Sequence, residues 1–288
     1  MDRKKFLKSS LFVGMSAAVA PTLLAKENQS TSDKLMEPIG FNHLPNKENK
    51  TMNTVIHKAE TRGNANHGWL NSYHSFSFAN YHNPERMHFG VLRVLNDDQV
   101  AAGKGFGTHP HDNMEIISIP LEGDLEHKDS MGNIKVIKEG DIQVMSAGTG
   151  VYHSEYNKNQ DKEVKFLQIW LFPNKKNVSP RYDQLAIKAM AKPNKFYQIL
   201  SPSAEDQGVW IYQDAWFNMG EFDAGNSDTY ALKSRANGVY AFVLEGEIEI
   251  TGKSLSKRDG LGVWDINELK VNSKTNSKVL LMEVPMNI

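Results

Sequence analysis

The sequence predicts an all-β protein made of two related copies of a sandwich or barrel. Two observations carry that reading. From Thr54 onward, short apolar or alternating runs recur, each closed by a Gly, Asn or Asp turn, which is the spacing of an antiparallel sandwich or barrel. The turn segment Leu121-Glu-Gly-Asp-Leu-Glu126 also returns as Leu244-Glu-Gly-Glu-Ile-Glu249, at a separation too long for a solenoid and suited to duplicated domains. No helical period persists long enough for a bundle. The 288 residues carry a net charge of −1, with 40% apolar and 23% charged residues, a globular composition. That balance lacks the basic excess of a nucleic-acid binder, so no nucleic-acid partner is expected. The absence of cysteine excludes disulfide frameworks, thiolate metal sites, iron–sulfur clusters and cysteine nucleophiles.

The elements follow in chain order. Residues 1–25 read as an export signal: a basic stretch at Arg3-Lys4-Lys5-Phe6-Leu7-Lys8, a short apolar run and a small-residue cleavage region ending near Ala25. The run is too short and too polar to span a membrane, so no membrane association is expected after cleavage. The basic stretch is similar to a twin-arginine signal with Lys4 in the place of the second arginine, and a periplasmic or otherwise exported location is expected. Residues 26–53, rich in Lys, Asn, Ser and Glu, read as a polar tether. Strands are expected at Phe89–Leu95, Glu115–Leu121, Lys135–Lys138, Phe166–Phe172, Tyr240–Leu244 and Val279–Met282. The copies divide into residues 54–172 and 173–288, with the linker in the Pro-, Lys- and Asn-rich stretch from Pro173 to Pro193. A monomer is expected.

All ten histidines lie between His43 and His153, so any imidazole chemistry belongs to the first copy. In a strand, residues i and i+2 share a face. His109 and His111 form one such pair, and His153 and Glu155 form another. Two strands carrying these pairs, brought together across a barrel, offer three imidazoles and one carboxylate. That donor set suits Fe(II), Mn, Ni, Co, Cu or Zn, and four ligands leave an octahedral ion two open positions. Pro110 removes a ladder donor between the two histidines, so this strand is expected to be an edge or irregular. The second copy has Leu232 and Ser234 where the first has His109 and His111.

The run Gly103-x5-His109-x-His111-x3-Glu115, followed by Gly150-x2-His153-x3-Asn157, resembles the cupin superfamily. Thr108-His-Pro-His111, Asp129-Ser-Met-Gly132, Met145-Ser-Ala-Gly-Thr-Gly150 and His153-Ser-Glu-Tyr-Asn157 resemble the pirin family within it. The resemblance covers roughly residues 54–288. It implies two tandem cupin β-barrels, with the metal in the N-terminal barrel and a degenerate C-terminal barrel. It also implies that Glu155 is the fourth ligand beside His109, His111 and His153, and that Glu115 is not a ligand but either supports the ligands from behind or is structural. Tyr156 and Asn157 are expected to orient the site. His67, His74, His82, His88 and His127 have no paired carboxylate spacing and read as structural or surface residues.

Bacterial pirins of this type are similar to quercetin 2,3-dioxygenases. The resemblance therefore implies a metal-dependent opening of a flavonol ring by dioxygen with release of carbon monoxide. Iron is the expected metal, because loading before export lets the cytoplasm select against copper and zinc. Glu155 is the expected proton acceptor. Phe106, Met114, Met145 and Trp170 are candidates to cover a flat aromatic substrate. The alternative is a non-enzymatic metal protein that senses redox state and binds a partner. An export signal weighs against it, since cytosolic partners are then out of reach.

Overall fold

The structure is a computed structural model that describes residues 51–288. The export signal at 1–25 and nearly all of the tether at 26–53 lie outside the described residues. The first barrel is built from β2 (Gly63–Asn66), β3 (Leu70–His74), β4 (Leu92–Val100), β5 (Gly105–His111), β6 (Glu115–Glu122), β7 (Leu125–Asp129), β8 (Ile134–Ile137), β9 (Asp141–Ser146), β10 (Val151–Asn157), β11 (Val164–Leu171) and β12 (Arg181–Ala186). The second contains β1 (Asn53–His57), β13 (Phe196–Ser201), β14 (Val209–Trp210), β15 (Trp216–Phe222), β16 (Ser227–Ala231), β17 (Asn237–Glu245), β18 (Glu247–Ile250), β19 (Lys253–Ser256), β20 (Gly260–Trp264), β21 (Glu268–Ser273) and β22 (Ser277–Pro285).

Each barrel is a seven-stranded sheet closed by a four-stranded one. The orders are β12-β9-β6-β11-β4-β3-β2 with β5-β10-β7-β8, and β1-β20-β17-β22-β15-β13-β14 with β16-β21-β18-β19. Sheet membership crosses the division between residues 54–172 and 173–288 at both places. β1 precedes the first barrel but pairs with β20, and β12, inside the linker stretch, pairs back onto β9. Each exchanged strand covers an edge whose ladder groups would otherwise be open. The expected strands recur with shifted ends. The largest shift is the first, because Gly90 sits at φ +51 and β4 starts only at Leu92.

Strand alternation splits the apolar residues between two destinations. Leu92, Ile117, Ile119, Val144, Leu167 and Ile169 meet Phe217, Met219, Phe242, Leu280 and Met282 in one shared core, so the two large sheets pack face to face. The opposite faces line the barrel interiors, which differ. The second interior is a continuous aliphatic cluster that includes Val239, Ala241, Val243, Leu261, Val271 and Leu281. The first holds two smaller clusters, one around Leu70, Leu125 and Phe166 and one around Ile116, Met145 and Val151.

Between those two clusters runs a polar row, doubled on β3 and β4 by the buried Ser72–Asp98 pair. His74 on β3 pairs with Asn96 on β4, Asn96 with Gln168 on β11, and Gln168 with Ser118 on β6. Ser118 then pairs with Gln143 on β9, and Gln143 with Gln184 on β12. Because registered neighbours share a face, this row crosses six strands along the barrel wall. In the second barrel the matching row reads Asn218, Leu281, Ala241 and Leu261, and it is mostly apolar.

Candidate metal centre

β5 and β10 carry the two pairs expected from the sequence. His153 stands opposite His109, and Val151 opposite His111. As Pro110 requires, β5 is the edge of its sheet, and the ladder slips between His153 and Glu155. Gly105 permits that slip. A Cβ there would lie 2.2 Å from the Glu155 carbonyl oxygen and 2.5 Å from the Tyr156 Cα, so a side chain would force the two strands apart.

His109, His111 and His153 each present one ring nitrogen, all within 4.8 Å of one another. The rings of His109 and His153 lie 4.4 Å apart by centroid, and that of His111 lies 4.9 Å from both. His109 Nδ1 lies 2.8 Å from the Gly107 carbonyl oxygen; it donates there, which leaves Nε2 free to face the cluster. Both nitrogens of the buried His153 lack a hydrogen-bond partner. Burial, followed by repulsion from the neighbouring imidazoles, lowers His111 to about 3 and His153 to about 2. Imidazole nitrogens converging on one point, with His111 and His153 held neutral, are a cation's donor set, so the residues fit a metal.

Glu155 stands apart from this triad. Its carboxylate groups instead with His127 and His153, again within 4.8 Å. Gln168 Nε2 donates to Glu155 Oε2 at 2.7 Å, and Ser118 Oγ donates to Glu155 Oε1 at 3.0 Å. His127 lies directly opposite Glu155 on β7 and bonds Asp129 through Nε2 at 3.0 Å, while its Nδ1 is buried and unpartnered.

His127 therefore lies against the candidate site, although its reading from sequence was a structural or surface residue. The signal was present: it precedes Asp129 by two residues, so both face inward with His153 and Glu155. Ser118 and Gln168 were also missed, because a lone Ser or Gln inside an apolar run carries no spacing signature. Two expectations are corrected. Tyr156 points outward and is exposed, since it is out of phase with His153 and Glu155. Asn157 faces inward but spends its amide on the Val100 and Lys162 carbonyls, where it ties down a loop.

Glu115 lies on the opposite face of β6 from Ser118, away from the histidines. It is buried and accepts from Ser146 Oγ at 2.6 Å, so it does not face the ion's donor set. Of the four candidate covers, Trp170 packs its ring 4.9 Å from His111, and Met114 packs on the apolar cluster of Ile116, Met145, Ala147 and Val151. Met145 is core, and Phe106 packs edge-on to Trp69.

Comparison with known proteins places this geometry in a family. A Pirin family model matches residues 49–171, and a quercetinase C-terminal cupin model matches residues 198–284. A quercetin 2,3-dioxygenase of Escherichia coli K12 is 41% identical over 230 residues, covering 80% of this chain and 98% of that protein. The chain belongs to the pirin family. A pirin-like protein of Caulobacter vibrioides is 36% identical over 222 residues, 77% of this chain and 95% of its own. The crystal structure of the bacterial pirin YhhW from E. coli, in complex with nickel(II), superposes with a TM-score of 0.77. It is 39% identical and covers 82% of this chain and all of its own. The two-barrel pirin architecture accounts for the fold on both sides of the linker.

Proposed function

We propose that this pirin is a metal-dependent dioxygenase that opens the central ring of a flavonol, taking up both atoms of dioxygen and releasing one carbon as carbon monoxide. His109, His111, His153 and Glu155 would hold one divalent transition metal, with iron as the resident ion. The observation that carries the reading is the convergence of three imidazoles, those of His109, His111 and the partnerless His153. The name of the E. coli dioxygenase supports the reaction class, and the nickel(II) complex of the E. coli pirin supports a divalent metal.

A bound cation supplies Lewis acidity toward the flavonol 3-oxygen and a position for dioxygen. The remaining work falls to this chain's side chains. Glu155 accepts the 3-hydroxyl proton on a carboxylate oxygen, the reach a general base needs. Ser118 suits both forms of Glu155. It donates to the carboxylate, or it accepts from the carboxylic acid and donates instead to Gln168 Oε1, 3.1 Å away. Trp170, packed on the His111 ring, gives the substrate an apolar wall. The basic stretch before the apolar run at the N-terminus supports export, by the twin-arginine route, as the setting.

The test follows flavonol absorbance, oxygen uptake, carbon monoxide release and bound metal in native protein and in His153→Ala. Turnover that disappears together with the metal supports the enzyme. Full metal occupancy without turnover across several flavonols overturns it and favours a metal-binding sensor. Export is tested by cell fractionation of Arg3→Ala with Lys4→Ala, where unchanged export overturns the twin-arginine route.

A further inference from the structure

Glu155 has two claims on it. The proposed metal centre makes it the fourth ligand, yet both of its oxygens are held by donors on the far wall, Gln168 Nε2 at 2.7 Å and Ser118 Oγ at 3.0 Å. All three side chains are buried. Glu155 does not come within 4.8 Å of the His109–His111 pair, farther than two ligands of one transition-metal ion can lie, so joining them draws the carboxylate off the far wall and away from its donors. We infer that Ser118 and Gln168 form a second seat for the Glu155 carboxylate, which competes with the metal for it and sets how firmly the fourth ligand is held. The inference rests on the metal-centre reading and not on flavonol as substrate.

The duplicated barrel serves as an internal control. Ser118 pairs with Gln168 in β6 and β11; at the same register of β17 and β22, Ala241 pairs with Leu281. The copy without histidines has also lost both donors of the seat. A row kept only for barrel stability has no reason to disappear with the metal ligands, because apolar residues fill the same space in the second barrel. The seat also has polar flanks. Both amide atoms of Gln143 and the Asn96 carbonyl oxygen are buried without partners on either side of it. Leaving such groups unpaired is unfavourable, so the row costs stability that apolar residues at the same register do not. Ser118 and Gln168 are positioning residues, acting through Glu155.

The test is cobalt(II) affinity, measured by competition with a chromophoric chelator, together with the visible spectrum of the bound ion. Ser118→Ala combined with Gln168→Leu installs the residues of the second barrel. Removing a hydrogen-bonded competitor for the carboxylate is expected to tighten cobalt(II) about tenfold and to shift the spectrum. Ser118→Ala alone tightens it by a smaller factor, and Ser118→Thr, which keeps the hydroxyl, restores the native value. In a Glu155→Ala background the same substitutions change nothing. Unchanged or weaker affinity in either seat variant, folded by circular dichroism, overturns the inference, as does an equal effect without Glu155. Native protein that binds no cobalt(II) overturns the metal centre itself, and this is read from the native protein before any variant is made.

Discussion

His127 faces Glu155 directly across the β7–β10 ladder, and its Nδ1 is buried with nothing to bond. Two overlapping triads therefore share His153: one with His109 and His111, the other with His127 and Glu155. Asp129 accepts from His127 Nε2 and also from the Met131 and Asn133 amides, which fixes the His127 ring. If the cation belongs to the first triad, His153→Ala abolishes tight binding, with a loss of about a hundredfold or more, whereas His127→Ala costs less than about tenfold, the scale of a supporting residue. Metal titration of the two variants checks this. Equal losses would move the ion to the second triad. Stripping the metal with a chelator lowers the melting temperature of native protein, by linkage, but leaves His153→Ala unmoved.

Glu115 yields a pH prediction separate from the metal. Burial raises its carboxyl to about 7, against the opposing pull of the Ser146 hydrogen bond. A raised folded-state value means the stabilising contribution is complete below the ordinary 4.5 and is lost as pH climbs through 7, a loss of about 3 kcal/mol. Buried His57 and His74, both lowered to about 4 by burial, act in the opposite sense, so native stability alone does not isolate Glu115. The difference between native protein and Glu115→Gln does. The variant gains about 2–3 kcal/mol relative to native between pH 5 and pH 8, read from urea unfolding at the two values. A difference that stays constant with pH contradicts the assignment.

What was legible in the sequence and what was not divide along a physical line. Period-two spacing places His109 with His111 and His153 with Glu155, because alternation is local. Pro110 likewise announces an edge strand. The echo of Leu121-Glu-Gly at Leu244 announces the second barrel. The exchange of β1 and β12 was not legible, since which open edge a strand covers is decided by tertiary packing. Nor was the seat beneath Glu155: Ser118 and Gln168 lie 50 residues apart and meet only through the registers of β6 and β11. Tyr156 was misread because its place next to Glu155 in sequence puts it on the other face.

The two barrels are also tied by charge. Asp97 on β4 accepts from Arg258 Nε of the second barrel at 2.8 Å and from Arg62 Nη1 at 3.2 Å, all three largely buried. Asp97→Ala leaves two guanidinium groups facing each other without a counter-charge. Breaking such a pair costs about 3 kcal/mol or more, so a clear fall in the urea midpoint is expected. Asp97→Ala with Arg258→Met recovers part of the loss, because one of the stranded charges goes with it. A double variant no better than the single would show that the arginines are solvated in the absence of Asp97.

Glu283 on β22 occupies the register of Trp170 on β11: Val239 pairs with Glu283 as Ile116 pairs with Trp170. Trp170 leans on His111, whereas Glu283 is buried and collects donors from the segment that has lost its histidines. Tyr230 Oη donates to it at 2.6 Å, Asn237 Nδ2 at 2.8 Å, and the backbone amides of Lys233 and Ser234 at 2.9 and 3.1 Å. A carboxylate thus holds together, by hydrogen bonds, the strand end that a metal would hold in the first barrel. Glu283→Ala strands at least four donors and is expected to cost about 3–5 kcal/mol. Because the interior of the first barrel is untouched, cobalt(II) affinity of the folded variant stays within about twofold of native. Chemical unfolding and the chelator competition together check this. A large change in metal affinity would show that the second barrel sets the geometry of the histidines.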